Sequence, residues 1–244
     1  MIRTIAIILF FLSVFSACEK QKPVVYMIGD STMSNKSDLN YPERGWGQLL
    51  PTFFDSTIQI NNHAQNGRST RSFIYESRWD SIYSKLKPGD YVVIQFGHND
   101  SGETKIGRYA VPEEYRYNLV KFSRETITKG AHPIICTPLV RRNFENGELT
   151  EQHGVYIGIA REAAAQLEIP MIDMYARSFQ LVAQLGEEGS MPLFLQISPG
   201  TYEKFPEGKI DNTHFSEFGA TTMAGLFVEG LKEQQIDLAN YLKK

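Results

Sequence analysis

Cysteine is nearly absent from this sequence: Cys18 and Cys136 are the only two. With Cys18 set aside as part of the leader considered below, Cys136 stands alone and no disulfide framework exists. It lies in the apolar run "PIICTP" and reads as a buried structural thiol. None of the five histidines shows a zinc-type spacing such as H-E-x-x-H, which argues against a metal-dependent hydrolase. No run of like charge stands out, and the formal net charge is -3, so nothing speaks for nucleic acid as a partner. Internal repeats and low-complexity segments are missing too. What remains is 244 residues of ordinary globular composition, enough for one α/β domain with a sizeable core.

The amino terminus has a different character. Arg3 is the only charge before Glu19, and "IAIILFFLSVFSA" lies between them. A basic start, an apolar stretch of about 7–15 residues and small residues before a cut site describe a secretory signal. Residues 1–17 are therefore expected to be a signal peptide. "FSAC" resembles a loose bacterial lipobox, which would leave Cys18 lipidated and make residues 18–23 a tether. A stricter lipobox has Leu where Phe15 stands, so simple secretion stays open. The expected location is the periplasm or cell surface of a bacterium, with the membrane touched only through the lipid.

The stretch 24–244 reads as a single domain of strands alternating with helices. "VVYMIG" (24–29), "IQINNHA" (58–64), "YVVIQFG" (91–97), "HPIICTP" (132–138) and "MIDM" (171–174) are short and rich in Val and Ile. Three are nearly continuous apolar runs, as in a parallel sheet covered on both faces. Helical patterns cover 72–86, 112–129, 154–168, 176–187 and 216–241, the last capped by Ser216. Repeated β-α-β units predict a three-layer α/β/α sandwich around a five-stranded, mainly parallel sheet. In such folds function sits just past the carboxyl ends of the strands.

Ser31 stands there, in "YMIGDST" after the first strand. Neither G-x-G-x-x-G nor G-x-x-x-x-G-K-[ST] follows that strand, so nucleotide-binding turns are excluded. Two readings stay open for Ser31, a helix cap and a nucleophile. A nucleophile needs a base, an orienting group and oxyanion donors. "DNTHFSEFGA" puts Asp211 three residues before His214, close enough for the carboxylate to hold the imidazole. Gly67, in a turn after the second strand, and Asn99, just past the third, are candidate oxyanion donors together with the N–H of Ser31. Each also has an ordinary turn explanation.

The blocks "GDST", "NGRST", "GHND" and "DNTHF" together resemble the SGNH (GDSL-type) hydrolases. "RGWGQLLP" and "NHAQNGRSTRSF" narrow the resemblance to the rhamnogalacturonan acetylesterases and their bacterial relatives. The resemblance implies a flavodoxin-like three-layer fold, a nucleophile at Ser31, a base at His214 with partner Asp211, and no cofactor or metal. It further implies an acetylated polysaccharide or oligosaccharide as substrate. Rival readings are a lipase, a thioesterase, an acetylxylan esterase or a lipid-anchored glycan-binding protein without catalysis. No long apolar lid supports a lipase, and the intact five-residue set argues against the last.

Beyond that set, Asp30 is either a local brace or an acid shaping the site. His98, Arg68 and Trp46 are candidate substrate contacts. Arg141 and Arg142 are candidates for holding acidic sugars, with solvated loop charge as the alternative. Tyr202 and Phe205, in the loop insertion expected over 189–210, either stack on sugar or anchor that loop.

Overall fold

The computed structural model describes residues 22–38 and 41–244. The expected signal peptide, the expected lipidation site Cys18 and most of the expected tether lie outside the described residues. No helix among the described residues is long and apolar enough to cross a membrane.

Among the described residues ten strands are formed: β1 (Val24–Gly29), β2 (Glu43–Arg44), β3 (Gln59–Asn62), β4 (Tyr91–Gln95), β5 (His132–Cys136), β6 (Phe144–Glu145), β7 (Glu148–Leu149), β8 (Met171–Ile172), β9 (Phe194–Ile197) and β10 (Lys209–Ser216). The α-helices are α1 (Trp46–Leu49), α2 (Thr70–Tyr75), α3 (Arg78–Tyr83), α4 (Pro112–Thr128), α5 (Val155–Leu167), α6 (Met174–Gly189) and α7 (Glu217–Glu233). The central sheet has the order β3-β1-β4-β5-β8, and every pairing in it is parallel.

Alternation along the strands builds the three layers. Val25 and Met27 of β1, with Val93 of β4, pack into one apolar cluster that includes Phe227 and Leu231 of α7. Tyr26 and Ile28, with Val92 and Ile94, face the opposite cluster, where Phe122 of α4 and Ala160 of α5 lie. Successive strand side chains point to opposite faces, so both faces of β1 are apolar. That explains why this stretch reads as a continuous hydrophobic run. The strand order reverses at β1, and β1 and β4 are neighbours, which makes the crevice beyond their carboxyl ends the natural binding place.

Three expected elements take a different form. The helical stretch 72–86 is two helices, interrupted where Ser77 adopts a left-handed conformation with φ of 51°. The closing helix ends at Glu233 and resumes as a 3-10 turn over Asp237–Tyr241. Its start is as expected, with Ser216 Oγ accepting from Gly219 N–H at 3.0 Å. The stretch 189–210 is not simply a loop. It contains β9, which pairs antiparallel with β10, and β10 pairs with β2 to make a second, three-stranded sheet. Tyr202 and Phe205 anchor that segment: the Tyr41 ring stacks on Phe205 and meets Tyr202 edge-on, over buried Leu195 and Ile197.

Candidate active site

The Ser31 turn is locked from below. A β-carbon on Gly29 would stand 2.6 Å from the Gln95 carbonyl oxygen of β4, so glycine permits the close approach of the two strands at this point. Asp30 is fully buried, and its Oδ1 accepts from the Thr32 N–H at 2.9 Å and the Thr32 hydroxyl at 2.8 Å. Asp30 is thus a brace and not a substrate contact, because no part of it reaches solvent. Burial, the largest influence, raises its pKa against the Thr32 hydrogen bonds. Nor does Ser31 cap a helix: residues 31–33 form a turn, and the next helix begins only at Trp46. Trp46 is likewise no substrate contact. It is fully buried, its indole N–H donates to Gln95 Oε1 at 2.6 Å, and Gln95 Nε2 donates to Thr32 Oγ1 at 3.1 Å. It therefore supports the turn from within the core.

β10 brings the other end of the chain to the same point. Its register with β9 jumps between Asp211↔Leu195 and Phe215↔Phe194, so residues 212–214 bulge out of the ladder. Asp211 Oδ1 gathers the bulge by accepting from the N–H groups of Thr213 at 3.0 Å and His214 at 2.9 Å. Its Oδ2 lies 2.8 Å from His214 Nδ1, and His214 Nε2 lies 2.8 Å from Ser31 Oγ. Burial raises the Asp211 pKa, but the hydrogen bonds and charge of His214 outweigh it and hold the carboxyl well below its ordinary value. With one proton on Nδ1 donating to Asp211, Nε2 is free to accept from the Ser31 hydroxyl.

Neutral donors converge on the same corner. The backbone N–H groups of Ser31 and Gly67 donate to no other group among the described residues. Gly67 has φ of +73°, a left-handed turn conformation suited to glycine. Asn99 Oδ1 accepts from Lys105 Nζ at 3.1 Å, and its Nδ2 donates one hydrogen to the Arg68 carbonyl at 3.0 Å. That fixes the amide and leaves its second N–H unspent. The five residues expected to act together are thus grouped at the ends of β1, β3 and β4 and in the β10 bulge.

Known proteins resemble this chain over most of its length. The model of the GDSL-like lipase/acylhydrolase family matches residues 25–227. The chain belongs to this family. It is accordingly an ester hydrolase. It is 37% identical over 224 residues to "Rhamnogalacturonan acetylesterase RhgT" of Bacillus subtilis, covering 91% of this chain and 95% of the relative. It is 33% identical over 221 residues to "Probable rhamnogalacturonan acetylesterase YesY" of the same organism, covering 90% of this chain and 97% of that one. Among solved structures, protein YxiM from Bacillus subtilis superposes with a TM-score of 0.75 at 27% identity, over 88% of this chain and 58% of that longer one.

Around the candidate site lie further residues that brace it. Lys36 is 8% exposed, and its Nζ donates to the Ser31 carbonyl at 2.7 Å, Asn66 Oδ1 at 2.6 Å and Ser34 Oγ at 3.0 Å. Its counter-ion is Glu43, 2.9 Å away on β2, which pairs with the strand carrying Asp211 and His214. One ammonium thereby joins the Ser31 turn to the residue preceding Gly67. Asp100 accepts from the N–H and hydroxyl of Thr70 at 2.9 and 2.6 Å, tying the Asn99 turn to the start of α2. Arg142 is buried and donates to Ser190 Oγ at 3.1 Å and Asn212 Oδ1 at 3.2 Å, bracing the β10 bulge. It is a support and not a handle for acidic sugars.

His98 is buried rather than open to substrate. Its Nδ1 lies 3.0 Å from His153 Nε2, and Arg141 Nη2 donates to its carbonyl at 3.0 Å. Burial above all, then the neighbouring positive groups, hold both imidazoles neutral, His153 with a pKa lowered to about 3. Arg68 is half-exposed at the rim, engaged with Glu76 at 3.0 Å and the Asn66 carbonyl at 3.0 Å. His63, just past β3, stacks on Tyr26, and His132 begins β5 at the far end of the sheet. Cys136 is free and fully buried. Among the described residues, no group of three or more His, Cys, Asp or Glu side chains is arranged to hold a metal ion.

Proposed function

We propose that this chain is a serine carbohydrate acetylesterase, and that Ser31, His214 and Asp211 are its nucleophile, base and orienting acid. The observation that carries the reading is the continuous line from Asp211 Oδ2 through His214 to Ser31 Oγ, with 2.8 Å at each step. His214 takes the hydroxyl proton as Ser31 Oγ attacks the acetyl carbonyl. The oxyanion then faces the N–H groups of Ser31 and Gly67 and the second N–H of Asn99. The tetrahedral intermediate collapses with loss of the sugar oxygen, which leaves with the proton from His214. Water, deprotonated by the same imidazole, attacks the acetyl-serine and releases acetate.

The substrate is proposed to be acetylated rhamnogalacturonan or a related pectic polysaccharide, on the strength of two relatives bearing that name at 37% and 33% identity. Acetate release from acetylated rhamnogalacturonan and acetylated xylan tests the choice. Faster release from xylan would overturn it. Export with a lipid on Cys18 is proposed from the amino-terminal sequence. Fractionation checks it: wild type in the membrane fraction and Cys18→Ala in the soluble one support the anchor, and identical distribution removes it.

A further inference from the structure

Three cations gather beside the Asn99 and Gly67 turns. Lys105 Nζ donates to the His98 carbonyl at 2.9 Å as well as to Asn99, and Arg141 Nη2 donates to the same carbonyl oxygen. The Arg108 guanidinium covers Gly67, since a β-carbon on that glycine would stand 3.0 Å from Arg108 Nη1. Arg108 is exposed, and its side chain makes no hydrogen bond among the described residues. None of the three has a carboxylate within ion-pair distance among the described residues, whereas Lys36, Arg68 and Arg71 each do.

Such an arrangement carries an electrostatic cost. Burial first, and then Arg141 and Arg108, push the Lys105 pKa down. The nearby negative groups that offset it, Asp30 and Asp100, are fully buried and are themselves pushed by burial toward the neutral form. Asp211 favours the Arg141 charge, but its Oδ2 is held by His214 and by Lys209 at 3.1 Å. A cleft lined by one sign of charge concentrates field on its opening. Guanidinium groups in particular match the planar, two-oxygen geometry of a carboxylate.

We infer that Lys105, Arg108 and Arg141 form a carboxylate-binding subsite that takes a uronate group of an acidic glycan and sets a nearby acetyl ester over Ser31. This rests on the acetylesterase reading and adds the group by which the substrate is recognised. Arg108 lies directly over Gly67, whose N–H is one of the proposed oxyanion donors, so the subsite adjoins the reacting ester.

The test compares acetate release from an acetylated oligogalacturonide with release from the same oligosaccharide after methyl esterification of its carboxylates. Wild type is expected to favour the free acid by about tenfold or more in kcat/KM, the scale of one charge-assisted hydrogen bond. Raising the salt to about 0.5 M is expected to erode the preference, because the Debye length falls well below its physiological value. In Arg108→Gln the preference shrinks several-fold. Equal kcat/KM for both forms, with release still abolished in Ser31→Ala, overturns the subsite and leaves the esterase reading standing. Full preference retained in both Arg108→Gln and Arg141→Gln overturns the assignment to these residues. Release from neither form by wild type removes the esterase reading, and the subsite with it.

Discussion

Lys36 Nζ stands 2.7 Å from the carbonyl oxygen of Ser31, on the inner side of the turn that presents the hydroxyl to His214. The same ammonium reaches Asn66, so it spans the two turns whose N–H groups face the proposed oxyanion. Lys36→Met is expected to lower kcat by about 10²-fold with little change in KM, the scale of a misplacement near 1 Å. It also strands Glu43, so thermal stability falls with it. Lys36→Met combined with Glu43→Gln separates the two effects. Recovery of Tm with kcat still low is the predicted pattern. Recovery of both together means the ammonium serves stability alone.

Asn99 has one N–H spent on Arg68 and one left over. Asn99→Ala is expected to cost about 10²–10³-fold in kcat, as for removal of one oxyanion donor. Steady-state kinetics on an aryl acetate suffice to check this. A loss confined to KM contradicts the role.

Asp100 gives a pH signature in stability rather than rate. Burial raises its pKa from 3.8 to about 7, more than the Thr70 hydrogen bonds lower it, and the charge of Asp30 adds to the rise. The folded state therefore holds a proton that the unfolded chain gives up near pH 4. Stability contributed here is full below about pH 4, declines as pH rises to about 7, and is level above. Asp100→Asn keeps an oxygen for Thr70 and removes the titration. The fall in Tm between pH 5 and pH 8 should be smaller in this variant than in wild type, and an unchanged fall rejects the assignment.

Much of this arrangement was legible in the sequence. Short Val- and Ile-rich runs mark β1, β4 and β5 because burial on both faces imposes apolar residues along nearly all of each strand, whereas β3 and β8 at the sheet edges carry a weaker signal. Ser31, Gly67, Asn99, Asp211 and His214 each follow or interrupt a strand, and their residue types suit one chemistry. Other features had no local signal. β9 lies in a segment with three prolines, and its partner β10 pairs also with a two-residue strand far earlier in the chain. Lys36 looks like any surface lysine until the fold buries it against Ser31. His98 and Trp46 looked accessible because they sit in motif blocks, yet motif membership does not say on which side of a turn a side chain points. Both point inward: Trp46 supports the Ser31 turn through Gln95, and the His98 ring meets His153.

The central claim is that Ser31 is the nucleophile of an acetylesterase, and Ser31→Ala tests it most directly. Purified wild type and variant are compared for acetate released from acetylated rhamnogalacturonan, with matched circular dichroism to establish that both are folded. Wild type is predicted to release acetate and Ser31→Ala to fall by about 10³-fold or more. Equal release from the two proteins would contradict the account.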